Sequence, residues 1–352
     1  MTTRTAISKA ASVRGRVPKR LTAKRLLITL SVLLTLLLIV AAISLAIGSE
    51  RIELGMVADV IAARLTGRIS NASPEHAMIV ASIRLPRVLM AITVGAALAV
   101  AGAAYQALLR NPLADPGILG VSSGAALGAI TATIFTDALP VSRPVAAFVG
   151  AAVTIAIVYV LGQHRQGGGA ERLILAGVII NALLSSIVIF LVTTAGARQR
   201  SVLSWLIGDM SGETRLLPVV ALFVLTGIAA IYLNARGLNL MMTGEEDALV
   251  LGVETKRVKL VVYLAASLLT GAAVAVSGAI GFVGLIIPHA VRLAGGSDNR
   301  LVIPASAVAG ATFLMLADTL ARTVIAPREL NIGVVTALVG APVFIYLLRR
   351  TS

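Results

Sequence analysis

The sequence of 352 residues contains no cysteine, which excludes disulfide bonds, thiolate metal sites and cysteine nucleophiles. Charged residues are scarce, at 13% of the chain, and acidic residues are fewer still, with 16 against 30 that are basic. A chain with so little charge and 58% hydrophobic residues cannot cover a soluble domain with polar surface, whereas lipid solvates an apolar surface. The composition therefore predicts a membrane protein.

Ten apolar segments are candidates for helices that cross a bilayer, each of which needs roughly 20 residues. The segment 280–292 is too short for a full crossing, so we expect a half-length helix shielded by its neighbours. The ten predicted spans are 26–47, 87–108, 118–135, 145–162, 172–193, 216–233, 258–277, 280–292, 301–322 and 332–348. The sequence thus predicts an all-α integral membrane protein with about ten transmembrane helices.

The positive charge predicts an orientation rather than a nucleic-acid partner. Eight of the 30 basic residues lie between Arg4 and Arg25, directly before the first apolar segment. Because Lys and Arg are retained on the cytoplasmic side, residues 1–25 are expected to form a basic cytoplasmic tail and residues 26–350 the transmembrane domain. An even number of spans also places Arg349 and Arg350 in the cytoplasm.

Several kinds of chemistry are missing from the sequence. It contains no Gly-Lys pair, so the phosphate-binding loop of P-loop ATPases is absent, and His76, His164 and His289 are too widely spaced for a metal site. Asp318, with Arg322 four residues later, is the main ionisable pair within the predicted spans. These absences favour a passive conduit driven by a partner. A stand-alone ion-coupled transporter and a membrane-embedded enzyme are the alternatives.

Several segments together resemble the permease subunits of ABC importers for iron-siderophores, heme and cobalamin, the FecCD family. They cover most of the chain after residue 80 and are Arg84–Arg87 (RLPR), the run 95–128 that contains Asn111–Gly117 (NPLADPG), Gly278–Arg292, Leu316–Asp318 and Gly333–Leu347. The resemblance implies a type II ABC importer permease-like bundle in the bacterial cell (inner) membrane, with both termini cytoplasmic. It implies no cofactor and no enzymatic activity in this chain.

The resemblance also implies the partners and the cargo. They are a second permease chain in a homo- or heterodimer, two ATP-binding cassette subunits that hydrolyse ATP, a soluble substrate-binding protein and membrane lipid. The expected substrate is a bulky metal chelate, most consistent with a ferric siderophore, and cobalamin and heme remain alternatives.

Arg84 and Arg87 flank Pro86 at the start of the second predicted span. Two cations there oppose the positive end of the helix dipole, so the pattern requires an anionic partner. A lipid phosphate or a nearby carboxylate would satisfy it. The resemblance implies that both arginines, together with Arg322, receive glutamates from the binding protein, although Asp318 could already occupy Arg322.

The polar stretch 238–257 is expected to be a cytoplasmic coupling segment. Acidic residues suit the start of a short helix, an apolar run gives the helix a contact surface, and a glycine can end it in a left-handed conformation. The resemblance implies that this helix docks in a groove of the ATPase subunit. Its residues are Glu246, Asp247, Ala248, Leu249 and Gly252. An amphipathic helix lying on lipid is the alternative.

The prolines of the Asn111–Gly117 turn end the second span. The resemblance implies an inner gate formed by Asn111, Leu113, Ala170 and Glu171, and an interhelical turn without such a role is the alternative. A partial helix at 201–208 would place Trp205 at the level of the lipid headgroups. Candidate polar wall groups are Ser122, Ser123, Asn181, Ser185 and Ser186, whereas His289 is expected to be structural.

Overall fold

The computed structural model describes residues 21–48, 50–136, 141–162, 170–210 and 214–351, and for residues 118, 170, 171, 348, 350 and 351 it describes the backbone only. Within these ranges the chain forms α-helices joined by turns and short 3₁₀ segments. The helices are α1 (Ala23–Ala46), α2 (Leu54–Thr66), α3 (Pro74–Leu108), α4 (Val121–Ile134), α5 (Arg143–Gly162), α6 (Ala170–Thr194), α7 (Gln199–Leu206), α8 (Leu217–Leu233), α9 (Ala235–Thr243), α10 (Glu245–Val250), α11 (Thr255–Ser277), α12 (Val283–Gly295), α13 (Asn299–Thr323) and α14 (Ile332–Thr351).

The ten predicted spans correspond to ten apolar helices among the described residues. Seven of these helices are long and apolar enough to cross a membrane, and α4, α12 and α14 are the shorter ones. The prediction of an all-helical membrane protein with about ten apolar helices is confirmed. The expected half-length helix is α12, which has 13 residues and a rise of about 20 Å. Residues 1–20 of the predicted tail lie outside the described residues.

The beginning of α3 differs from the prediction. The helix starts at Pro74, thirteen residues before the predicted span, and includes a π-helical turn at Ile79–Arg84. Pro86 has no N–H to donate, and the carbonyl oxygen of Ala81, five residues earlier, accepts a hydrogen bond from Arg64 Nη1 instead (3.0 Å). Arg64 of α2 thus stabilises a helix that proline would otherwise interrupt.

Helices α3, α11 and α13 form the buried centre of the bundle, and α1, α6 and α8 are mostly exposed around it. The central helices approach closely because glycines face one another at their crossings. A Cβ atom added to Gly95 would overlap the backbone of Gly310 in α13, and one added to Gly102 would overlap the backbone of Gly284 in α12. Small residues allow such contact where lipid supplies no hydrophobic driving force between helices.

Candidate functional site

Arg84 lies at the end of α1 rather than in solvent. Its guanidinium donates hydrogen bonds to the carbonyl oxygens of Leu45 (2.7 Å), Ala46 (2.9 Å) and Glu50. The last carbonyls of a helix have no partner within the helix and carry partial negative charge. Arg84 therefore supplies the donors that the end of α1 lacks. The expected anionic partner is, in this structure, a set of backbone carbonyls.

Arg87 and Arg322 share one buried carboxylate. Asp318 accepts from Arg87 Nε through one oxygen (2.7 Å) and from Arg322 Nε through the other (3.0 Å). Arg322 also donates to Ser44 Oγ of α1 (2.9 Å). Glu329, which sequence reasoning missed, accepts from Arg87 Nη1 at 2.7 Å. We call Arg84, Arg87, Asp318, Arg322 and Glu329 the arginine cluster.

The arginine cluster is closed in this structure. Arg84, Arg87 and Arg322 are 3%, 9% and 7% exposed, so none of the three predicted docking arginines presents a free guanidinium. The Glu329 side chain is 49% exposed, whereas that of Asp318 is 1% exposed. Docking of a partner's glutamates at these arginines remains a prediction. Glu329 is the half-exposed carboxylate that Arg87 binds in this structure.

The predicted coupling segment folds as two short helices. Glu245, Glu246 and Asp247 lie in the first turn of α10, and Gly252 follows the helix with φ +83°, as the pattern predicts. Ala248 is fully buried, whereas Leu249 and Val250 are 54% and 87% exposed. Glu246 and Asp247 are also exposed. The exposed part of α10 is therefore an apolar tip beside two carboxylates.

An ion pair attaches α10 to α11. Lys259 Nζ donates to Glu245 Oε1 at 2.5 Å. This hydrogen bond, supported by the positive charge of Lys259, lowers the pKa of the Glu245 carboxyl below its ordinary value despite some burial. The carboxylate is thus ionised at neutral pH, and the ion pair joins the first turn of α10 to the first turns of α11.

The residues predicted for the inner gate are only partly described. Asn111 Oδ1 accepts from the Leu113 backbone N–H (2.9 Å), which closes an Asx turn, and Leu113 is 44% exposed. Ala170 and Glu171 lie at the start of α6, and their side chains lie outside the described residues. The structure shows the turn that the prolines predict, and the gating role remains a prediction.

A buried amide and a half-buried cation connect α3 with α12 near this turn. Gln106 Nε2 donates to the carbonyl oxygens of Gly284 (3.3 Å) and Leu285 (3.1 Å), and its Oε1 accepts from Arg292 Nη1. Arg292 Nη2 donates to the carbonyl oxygen of Ala103 (3.0 Å). The sequence signal was the one amide within the apolar run of α3, which the prediction did not use.

Several of the predicted wall residues form one polar group between α4 and α6. Ser123 Oγ donates to Asn181 Oδ1 (2.5 Å) and lies 3.2 Å from Ser185 Oγ. Ser186 instead bonds the carbonyl of Ala182 in its own helix. Ser122 lines a separate cavity of about 200 Å³. Its other lining residues are Leu98, Asp115, Pro116, Gly117, Thr270, Ala279, Ile280, Gly281 and Gly284.

Trp205 and His289, the last two residues singled out from the sequence, are both buried. Trp205 is 2% exposed, and its carbonyl lies so close to Gly278 that a Cβ there would overlap it. The Trp205 side chain therefore packs into the bundle rather than against lipid, and its position at the level of the headgroups stays a prediction. His289 is 8% exposed and meets Phe344 edge to face, as expected for a structural residue.

The comparisons with known proteins agree with this architecture. Residues 36–350 match the model of the FecCD transport family. The cobalamin import permease BtuC of Halobacterium salinarum is 44% identical over 78% of this chain and 75% of its own length. The hemin transport permease HmuU of Yersinia pestis is 44% identical over 80% and 86%. A Bacillus subtilis permease named for siderophore transport, YfiZ, is 41% identical over 80% and 85%.

A solved structure named as an inward-facing metal-chelate type ABC transporter shares the fold. Its TM-score is 0.79 at 32% identity, and the match covers 91% of this chain and 98% of that chain. The predicted resemblance, the type II permease bundle and the assignment of ATP hydrolysis to partner subunits are confirmed. The chain belongs to the FecCD transport family.

Proposed function

We propose that this chain is the permease subunit of an ATP-driven importer for ferric siderophores in the bacterial cell (inner) membrane. Residues 26–350 form its transmembrane domain, and the basic tail 1–25 and the C-terminus face the cytoplasm. A second permease chain, two ATPase subunits and a soluble binding protein complete the importer. The paired lobes of the binding protein dock at the end of the molecule that carries the arginine cluster.

Docking at the arginine cluster requires an exchange of carboxylates. The five charged groups sum to one net positive charge, with three arginines against Asp318 and Glu329. An incoming glutamate replaces the half-exposed Glu329 on Arg87, and Arg84 and Arg322 strengthen the local positive potential. Asp318 stays buried and keeps Arg87 and Arg322 in place.

The ATPase subunit receives the apolar tip of α10. Leu249 and Val250 supply the apolar contact, Glu246 and Asp247 its acidic border, and Gly252 the sharp turn that lets the tip project. On the same side of the membrane, the inner gate is formed by Asn111, Leu113, Ala170 and Glu171. This arrangement gives ATP-driven movement a direct path to the transmembrane helices.

The observation that carries the choice of substrate is the chemistry of α6. Between Leu173 and Val192 its polar side chains are limited to Asn181, Ser185 and Ser186, and the rest of this exposed helix is apolar. Hydroxyl and amide groups hydrogen-bond the oxygen atoms that surround iron in a siderophore. This stretch offers no imidazole, phenol or thioether of the kind that ligates heme iron. Relatives named for each of these three cargoes leave all of them possible for the family.

The test is uptake by the complete importer in proteoliposomes, with labelled ferric hydroxamate and catecholate siderophores, hemin and cobalamin offered in turn. We expect ATP-dependent accumulation of a ferric siderophore that persists when ionophores collapse ion gradients. Accumulation of hemin or cobalamin instead would overturn the choice of substrate. Uptake that needs an ion gradient and no ATP would establish the stand-alone transporter.

A further inference from the structure

The side-chain amide of Asn239 joins the coupling segment to the start of α13. Asn239 Nδ2 donates to Asp298 Oδ1 (2.8 Å), and Asn239 Oδ1 accepts from the backbone N–H of Asn299 (2.8 Å). The amide nitrogen and the amide oxygen of Asn239 therefore both form hydrogen bonds with the N-terminus of α13. Leu238 and Met241 of the same short helix are buried against the bundle, so α9 holds the amide in place.

Asp298 is a firm attachment point because it caps α13. Its carboxylate accepts from the backbone N–H of Arg300 (3.0 Å) and from Arg300 Nη2 (2.6 Å). Partial burial raises the pKa of Asp298, but hydrogen bonds from Arg300 and Asn239 outweigh it and lower the pKa below its ordinary value. An ionised carboxylate at a helix N-terminus is further stabilised by the helix dipole.

Helix α13 links this attachment point to the opposite end of the molecule. Its 25 residues extend about 37 Å, and Asp318 and Arg322 of the arginine cluster lie in its last turns. Midway, Gly310 meets Gly95 of α3 backbone to backbone. Such close contact lets α13 and α3, which carries Arg84 and Arg87, move as one unit.

We propose that Asn239 and Asp298 are positioning residues that transmit the movement of the coupling segment to α13 and, through it, to the arginine cluster. The inference rests on the proposed function, in which the ATPase drives the coupling segment and the binding protein docks at the cluster. The covalent connection from α10 into α11 offers a second route, which bypasses α13. The two routes predict different effects of changing Asn239.

The experiment uses the absence of native cysteine. Val324, directly after α13, is 63% exposed, and a V324C variant accepts a single environment-sensitive fluorophore. The labelled importer is assembled with its ATPase subunits in lipid nanodiscs. Two quantities are measured, the rate of ATP hydrolysis and the change in emission on trapping with ATP and vanadate. The variants are N239L, N239D and N239D/D298N. R236Q is the matched control because Arg236 is exposed on the same helix, α9, and its replacement leaves the hydrogen bonds of Asn239 and Asp298 intact.

We expect N239L and N239D to lower the emission change by about fivefold or more, the lower range of allosteric coupling. ATP hydrolysis should stay within about twofold of the unsubstituted complex, which separates lost transmission from lost binding. N239D/D298N again pairs one amide with one carboxylate and should recover most of the emission change, and the control R236Q should retain all of it.

The inference is overturned if N239L and N239D keep the full emission change, if N239D/D298N is no better than N239D, or if hydrolysis and emission fall together. The inference would also be overturned if the complex without substitutions at 239 or 298 hydrolysed ATP but its fluorophore at position 324 showed no change in emission. Failure of the ATPase subunits to bind the unsubstituted chain would contradict the proposed function itself, and this result is visible before any variant is compared.

Discussion

At the scale of single residues, one buried carboxylate holds the arginine cluster together, because Asp318 accepts from Arg87 through one oxygen and from Arg322 through the other. Asp318 and Arg322 are four residues apart on one helix, so their pairing was foreseeable. Arg87 and Asp318 are separated by 231 residues and Arg87 and Glu329 by 242, and no local pattern records such a contact. Arg84 donates its hydrogen bonds to backbone carbonyls, and a sequence pattern does not indicate which carbonyls will accept them.

The two carboxylates on Arg87 should differ greatly in their effect on stability. D318N leaves two buried guanidinium groups without their anion and is expected to reduce the free energy of unfolding by about 3–5 kcal/mol. E329Q removes the charge of Glu329 from a half-exposed ion pair with Arg87 and should change the free energy of unfolding by about 1 kcal/mol or less. Thermal unfolding of the purified chain in detergent measures both. Equal losses for the two variants would show that Asp318 does not hold the cluster together.

At the scale of helices, apolar runs predicted the spans because lipid selects on length and composition alone. The beginning of α3 was missed because Glu75, His76 and Arg84 make the segment before the predicted span look like a loop. The partial helix was found, but the burial of Trp205 was not, since the same amphipathic pattern suits lipid or a protein neighbour. The helix crossings depend on glycines whose pairing is likewise invisible in one sequence.

The crossing of α3 and α12 provides the prediction at this scale. G102A places a methyl group against the backbone of Gly284, which cannot move aside as a flexible side chain would, so a loss of about 1–3 kcal/mol is expected. G281A is the matched control because no atom lies within 4 Å of its added Cβ, and its effect should stay within about 0.5 kcal/mol. Chemical unfolding in mixed micelles compares the two variants. If G102A left the free energy of unfolding unchanged, the close contact of α3 with α12 would not contribute to stability.

At the scale of the whole molecule, the chain is a transport subunit that relies on partner subunits for ATP hydrolysis. The sequence foresaw this from the missing phosphate-binding loop and from the ordered motifs. It also predicted the short helix α10 and the turn at Gly252, because an acidic first turn, an apolar run and a glycine are local features. It could not foresee that Ala248 would face inwards while Val250 projects, since that depends on how α9 packs.

The contact with the ATPase can be tested at the tip of α10. V250D introduces an unpaired carboxylate into the proposed apolar contact and should reduce co-purification of the ATPase subunit by about tenfold or more, equivalent to roughly 1.4 kcal/mol. L65D makes the same change at an equally exposed position of α2 and should leave capture unchanged. If V250D retains the ATPase as well as L65D does, α10 is not the docking helix.

The central place of α13 has a consequence for biogenesis. Asp318 lies 231 residues after Arg87 in the chain, so α3 is synthesised long before its partner carboxylate. Until then Arg87 and the glycine face of α3 lack the groups that complete them, so the nascent chain depends on insertion machinery or lipid headgroups to shelter a cation. A chain truncated before α13 would lack both Asp318 and the glycine that meets Gly95, so its α3 would keep an unpaired arginine inside the bundle.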